Sequence, residues 1–386
     1  MAEPRAYLDY NASAPLLAAA RAAMLAALDG AGNASSVHAE GRAARRLVEA
    51  ARADVATLVG AKAEHVVFTS GATEAASTLL TPDWRMGRSP LRASHLYVCA
   101  ADHPCILSGG RFPAERVSRI GVGGNGMLDL AGLAAALAAH DRQEGFPLVA
   151  VHAANNETGV IQPIAEAARI VKAAGGVLVV DAVQAAGRIQ LDITNSCGDF
   201  LILSAHKIGG PKGAGAFVGV SDLMMPVPLV SGGGQEKGFR AGTENIAAIA
   251  GFGAAAREAF SGLDRIDAVL AKRERIEAAI LANVPDAEIF GRAAERLANT
   301  VFFAIPGVKA ETAQIAFDLA GIAVSAGSAC SSGKVGPSHV LKAMGIGRPE
   351  GGLRVSIGEA TGMAEIERFD KALVVAARRS AASRAA

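Results

Sequence analysis

The sequence predicts an α/β protein: a mainly parallel sheet between helices forming a large domain, and a smaller α+β domain beside it. Three features predict this. Short apolar runs alternate with helix-period segments, polar or small residues gather at the ends of those runs, and the texture changes near Ser261-Gly262, where a long charged helix begins.

Along the chain, Glu40 to Leu58 places Leu47, Val55 and Leu58 on one side and stops at Val59-Gly60, as a helix with a glycine stop does. Strands are expected at His65 to Thr69, Leu96 to Ala100, Leu148 to Ala153, Val177 to Asp181, Asp199 to Leu203 and Ala214 to Val218. Beyond Ser261, the apolar residues Ile266, Val269, Leu270, Ile276 and Ile280 mark a helix from Leu263 to Leu281. Strands at Asn299 to Ala304 and Leu353 to Ile357, with helices at Ala310 to Leu319 and Met363 to Arg378, complete the second domain. The expected division is therefore 15–261 for the large domain, and 1–14 with 262–386 for the small one.

Composition narrows the function. At 386 residues, 51% hydrophobic and 19% charged, the chain can bury a large core. A net charge of +1, with Lys and Arg spread along the chain, leaves no nucleic-acid footprint. No apolar run approaches the roughly 18 residues that span a bilayer, and the first residues do not read as a signal peptide. A cytoplasmic protein without membrane or nucleic-acid partners is expected. Four cysteines in a chain of this size make no disulfide framework.

The chemistry gathers at the ends of the strands. Val177-Leu178-Val179-Val180-Asp181 reads as a buried parallel strand that delivers a carboxylate to its C-terminal edge, where α/β folds place ligands. Lys207, in Ser204-Ala205-His206-Lys207-Ile208-Gly209-Gly210, follows the next strand. Alone, each has a plainer explanation, a strand-end aspartate and a solvated lysine. Together they suit an aldehyde cofactor: a desolvated lysine forms a Schiff base, and a carboxylate keeps a pyridine nitrogen protonated so that the ring accepts electrons. The pair points to pyridoxal 5'-phosphate.

Neighbouring motifs fit that cofactor. Phe68-Thr69-Ser70-Gly71-Ala72-Thr73-Glu74 is a strand, a small-residue turn and a helix start, so the Ala72 and Thr73 region offers N–H groups and a hydroxyl to a phosphate. Ser204 and His206 offer further phosphate contacts. His103 follows the strand ending at Ala100, where its ring can stack on the pyridine and move protons; Asn156 and Gln184 are placed to bond the ring hydroxyl. Among the cysteines, Cys99 reads as strand core, Cys197 as a connector residue and Cys105 as packing near His103. Cys330 differs. It lies in a run of small, polar, flexible residues, about 325–338, that can move a reactive thiol.

The ordered motifs resemble those of cysteine desulfurases of the NifS and IscS type, in the class V aminotransferase superfamily. They are Tyr7-Leu8-Asp9-Tyr10-Asn11-Ala12, Gly32-Asn33-Ala34-Ser35-Ser36-Val37-His38, Thr69 to Glu74, Asn155-Asn156-Glu157, Asp181-Ala182-Val183-Gln184, His206-Lys207, Arg240-Ala241-Gly242-Thr243 and Gly327-Ser328-Ala329-Cys330-Ser331-Ser332. The resemblance implies the PLP-dependent transferase fold of type I and the conversion of L-cysteine to L-alanine, with Lys207 as cofactor anchor and base. It further implies a persulfide on Cys330, His103 as acid or base, and Arg354 with Asn11 and Asn156 for the substrate carboxylate.

The family also implies a homodimer in which Thr243 of one subunit reaches the cofactor phosphate of the other. The acceptor would be an iron–sulfur scaffold, for nitrogenase or general cluster assembly, or another sulfur acceptor. Cys330 would briefly lend sulfur to iron. Two alternatives belong beside it: a selenocysteine lyase or other class V PLP enzyme, and a non-catalytic sulfur-trafficking scaffold subunit, against which the presence of both Lys207 and Cys330 argues. The segment 81–94 departs from the family's usual helix.

Overall fold

The computed structural model describes residues 5–195, 198–327, 338–348 and 350–385, with side chains through Ala376. Cys197 and Cys330 lie outside the described residues. A nine-stranded sheet forms the body. Parallel pairing runs from Val117–Ile120 through Ser89–Cys99, Phe146–His152 and Val177–Asp181 to Phe200–Ser204. This middle is the parallel sheet the sequence predicts, but both flanks are antiparallel. Gly215–Gly219 and Val66–Thr69 close one side, while Asp83–Met86 and Met224–Pro226 close the other. The sheet is therefore mixed. Alternating apolarity reports burial but not strand direction, so the sequence does not reveal the reversals.

The expected strands at Val177–Asp181, Phe200–Ser204 and Gly215–Gly219 form within a residue of their predicted bounds. The strand expected at Leu96 is longer, Ser89–Cys99, because the departing segment 81–94 folds as a hairpin. Gly87, at φ +58, turns the chain between Met86 and Ser89, which face each other across the pair. Trp84 is driven inward against Phe146 and Phe200, and its indole N–H donates to the Thr81 carbonyl at 2.8 Å.

Apolar clusters cover both faces of the sheet. On one face the helices Ala18–Leu28, Ala39–Leu58 and Ile246–Gly262 lie together. The last of these precedes the helix expected at Leu263, which runs as Ile266–Asn283 after one tight turn. Its glycines permit close approach: a Cβ on Gly253 would stand 2.5 Å from Ala51 Cα. A separate cluster joins Ala6 and Leu8 to residues between Val269 and Ala376, around the antiparallel strands Glu288–Ile289, Thr300–Ala304, Ser325–Ala326 and Leu353–Ser356. Among the described residues no helix is long and apolar enough to cross a membrane.

Gly253→Val should destabilise the protein by roughly 1–3 kcal/mol through overpacking, read as a lower thermal midpoint. Gly234→Ala, with nothing within 4 Å of the added carbon, should not; equal losses in both would contradict the close helix contact.

Candidate functional site

Three neighbouring strands, Phe146–His152, Val177–Asp181 and Phe200–Ser204, end at one edge of the sheet, and a cavity of about 480 Å³ opens there. Its wall includes Ala72, Thr73, His103, Asn156, Asp181, Gln184, Ser204, His206 and Lys207, so these sequence-predicted residues meet in one place. Asn11, Arg354 and Thr243 do not line it. Cys330 is outside the described residues.

Lys207 ends a tight turn, Ala205–Lys207, that follows its strand. Its Nζ donates to the carbonyls of Asn11 at 2.6 Å and Ala12 at 2.9 Å, which fix the amine at the cavity wall. Asn11 is a hydrogen-bonding hub beside the cavity. Its carbonyl also accepts from Gln184 Nε2, and its amide bonds the Asn156 carbonyl, Thr300 and Asn299. The N-terminal segment thus straps the lysine to residues hundreds of positions away.

Asp181 is buried, and its Oδ1 accepts from the Val183 N–H at 3.0 Å. Burial pushes its carboxyl up; the His103 charge pulls it back most among its neighbours. A cation brought beside it would restore the carboxylate. His103 caps the short helix Pro104–Leu107. Its Nδ1 accepts from the Cys105 N–H at 3.2 Å and lies 3.0 Å from Cys105 Sγ, so the ring is held from that nitrogen. Burial pushes the Cys105 thiol up, which suits a packed hydrogen-bonding neighbour better than a nucleophile.

The phosphate turn is built on close approach. A Cβ on Gly215 would fall 2.7 Å from the Gly71 backbone, so glycine there lets the strand meet the start of the helix Ala72–Leu79. Glu74 reaches back to the Ser70 N–H at 2.9 Å and binds Arg240 at 3.0 Å; burial would raise its carboxyl, but these bonds hold it below the usual range. Arg240 leads to Thr243, which is exposed on an adjoining hollow shared with Ser70, Gly213 and Ala214. The loop before it is strained: Glu236 and Lys237 sit at φ +47 and +55. The buried Glu236 carboxylate secures it with two 2.7 Å bonds to Arg52 and one of 2.8 Å from the Phe68 N–H.

Arg354, buried in Leu353–Ser356, donates to the Asn156 carbonyl at 3.0 Å, Asp9 at 2.8 Å and Ser325 at 3.2 Å. Its guanidinium lies behind Asn156 and is paired with a carboxylate from the N-terminal segment.

Ser13, Lys212 and His152 also line the cavity, although sequence reasoning did not single them out. Lys212 lay within the glycine-rich run after Lys207, a visible signal. Burial, with the charges of Lys207 and Lys212, pushes His206 down to about 4, so that ring is neutral at pH 7 and pairs with Ser13 at 3.3 Å. His152 looked like strand core. It is buried, and its Nδ1 lies 2.6 Å from the buried Asp102 carboxylate. Burial alone would lower it, yet the bond and charge of Asp102, with Cys99, push it up to about 10.

The combination of sheet, cavity lysine and cavity aspartate is that of a PLP-type α/β enzyme, and the comparisons agree. Residues 6–369 match the aminotransferase class-V family, to which this chain belongs. It is 40% identical to the cysteine desulfurase of Cereibacter sphaeroides, over 95% of this chain and 94% of that protein. It is 38% identical to the cysteine desulfurase IscS of Anaeromyxobacter sp., over 95% and 91%. The solved structure of a NifS-like protein from Rickettsia africae superposes with a TM-score of 0.85 at 32% identity, covering 95% of this chain and 98% of that one.

Because the folded His152 is raised above its ordinary 6.5, the stabilisation from its pair with Asp102 is complete below pH 6.5 and disappears as pH rises through about 10. The thermal midpoint of the cofactor-free protein should fall more between pH 7 and 10 than that of Asp102→Asn/His152→Gln. Parallel curves would contradict the ion pair.

Proposed function

We propose that this protein is a cysteine desulfurase that holds pyridoxal 5'-phosphate in the cavity and moves the sulfur of L-cysteine onto Cys330, releasing L-alanine. The observation that carries the proposal is the meeting of the Lys207 amine and the buried Asp181 carboxylate in one cavity beside the Gly71 helix start. This donor set fits the cofactor: an amine for the aldehyde, a buried anion that lacks the full stabilisation of a cation, and a helix N-terminus for the phosphate. When bound, the ring supplies an electron sink for charge at the substrate Cα.

The protein's own residues supply the rest. Lys207 would hold the aldehyde and accept the Cα proton, its amine positioned by the Asn11 and Ala12 carbonyls. Asp181 would pair with the ring nitrogen. Ala72, Thr73, Ser204 and His206 would hold the phosphate. Asn156 and Gln184 would bond the ring hydroxyl, and His103 would stand by the ring to exchange protons. Arg354, with Asn11 and Asn156, receives the substrate carboxylate, for which Asp9 is the standing partner.

Cys330, as thiolate, attacks the substrate sulfur; the carbon–sulfur bond breaks, a sulfur–sulfur bond forms, and the carbon skeleton takes up a proton to become alanine. The persulfide passes to a sulfur-acceptor protein, such as an iron–sulfur scaffold, where Cys330 lends its sulfur to iron. The exposed position of Thr243 supports a homodimer in which it reaches the partner's phosphate.

Purified protein given PLP and L-cysteine should form equimolar alanine and reducible sulfur. Cys330→Ala should lower turnover at least 100-fold without dithiol while the cofactor stays bound; unchanged alanine formation would sink the persulfide role. Arg354→Lys should raise KM for cysteine about tenfold, as loss of a bidentate carboxylate partner does, with a smaller change in kcat.

A further inference from the structure

His152 and Asp181 occupy register-matched positions on neighbouring parallel strands, so their side chains stand side by side on the same face of the sheet, at the cavity wall. Asp102, just beyond the adjacent strand, closes the group. One of its oxygens accepts from both the His152 N–H and the His152 ring, at 2.9 and 2.6 Å, and the other accepts from the Cys99 N–H at 2.8 Å. His152, Asp102 and Asp181 are 4%, 0% and 8% exposed, so water screens none of their charges.

Two buried carboxylates therefore flank one imidazole, Asp181 on the cavity wall and Asp102 against its Nδ1. Like charges in such a place do not both remain ionised unless a cation sits with them. The imidazole of His152 is the group that joins them. Through Nδ1 it is committed to Asp102, while Nε2 is buried with no hydrogen-bond partner among the described residues. The Cys99 sulfur lies within 4.8 Å of the Asp102 and His152 ligand atoms, and His339 bonds the Asp102 carbonyl; His103, Cys105, Glu74, His206, Lys207 and Lys212 also line the cavity, and the His103 charge acts on Asp181 beside that of His152.

We propose that His152 is a positioning residue for Asp181, acting as the cation that lets Asp181, on the cavity wall, and Asp102, bonded to His152 Nδ1, both persist as carboxylates. Asp102 orients the ring and fixes its charge; His152 offsets the field of Asp102 at Asp181; Asp181 is left free to pair with a cationic ring nitrogen. The proposal rests on the assignment of PLP to this cavity. It makes His152 an indirect contributor, acting through Asp181 rather than touching the cofactor.

The charges lead to an unusual expectation for the variants. His152→Gln removes the cation but keeps the Asp102 anion, so Asp181 is driven towards its neutral form and holds the ring nitrogen poorly. Asp102→Asn/His152→Gln removes both charges, leaves two amides that hydrogen-bond each other, and returns Asp181 to its original field. A residue needed for packing, or for direct contact with the ring, would not be restored by a second substitution on its far side.

The experiment is a titration of cofactor-free protein with PLP, followed by the visible absorption of the lysine-bound cofactor and its pH midpoint, with the thermal midpoint of each cofactor-free variant recorded beside it. His152→Gln should weaken PLP binding roughly tenfold, equivalent to about one pKa unit at Asp181, and shift the pH midpoint. Asp102→Asn/His152→Gln should return to within about threefold of the wild type by the same scale. With Asp181→Asn as background, His152→Gln should change binding less than twofold. A double variant that folds but binds as weakly as His152→Gln, or full additivity with Asp181→Asn, overturns the proposal. Should His152→Gln not fold, the double variant decides alone, because only an indirect role predicts near-normal binding there. Wild-type protein that shows no Lys207-dependent band overturns the PLP assignment itself, and the proposal with it; a normal wild-type band with variants that fail the pattern overturns only the role of His152.

Discussion

The cavity depends on the register of three parallel strands. Because Phe146–His152, Val177–Asp181 and Phe200–Ser204 pair in parallel, their C-terminal ends meet at one edge. Parallel strands also point their last carbonyls and following loops the same way, so polar groups that each strand delivers singly become a group. A shift of one residue in Val177–Asp181 would turn Asp181 away from the cavity face.

Holding Lys207 against that edge needs a second constraint, and the N-terminal segment provides it. Asn11 gives its carbonyl to Lys207 and Gln184, and its side chain to Asn156, Thr300 and Asn299, while Asp9 takes Arg354. One short stretch thereby couples the lysine, the ring-side amides and the strand that carries the arginine. Each of these buried polar groups is satisfied by another, so removing one leaves several without partners. In the function proposed above, such a strap would have a meaning: the lysine and the arginine assigned to proton transfer and carboxylate binding are placed by the same short segment.

Much of the fold was legible because burial writes itself into short apolar runs, and the polar residue that ends a run marks the functional edge. Asp181, Lys207 and the Gly71 turn stood out for that reason. Strand direction was not legible, so the antiparallel flanks and the Asp83–Met86 hairpin were missed, although Gly87 was a visible turn signal. The hub role of Asn11 escaped notice because it is played by a backbone carbonyl, which no side-chain pattern encodes. His152 was hidden by its apolar strand, and the pairing of Arg354 with Asp9 by the length of chain between them.

The central claim is that Lys207 is the cofactor's covalent anchor, held by the strap and faced by Asp181. Borohydride reduction after incubation with PLP, followed by digestion and mass spectrometry, tests this directly. The account predicts one cofactor mass added to the peptide bearing Lys207, and none in Lys207→Ala. Modification centred on another lysine, Lys212 above all, or no stable adduct in the wild type, would contradict it.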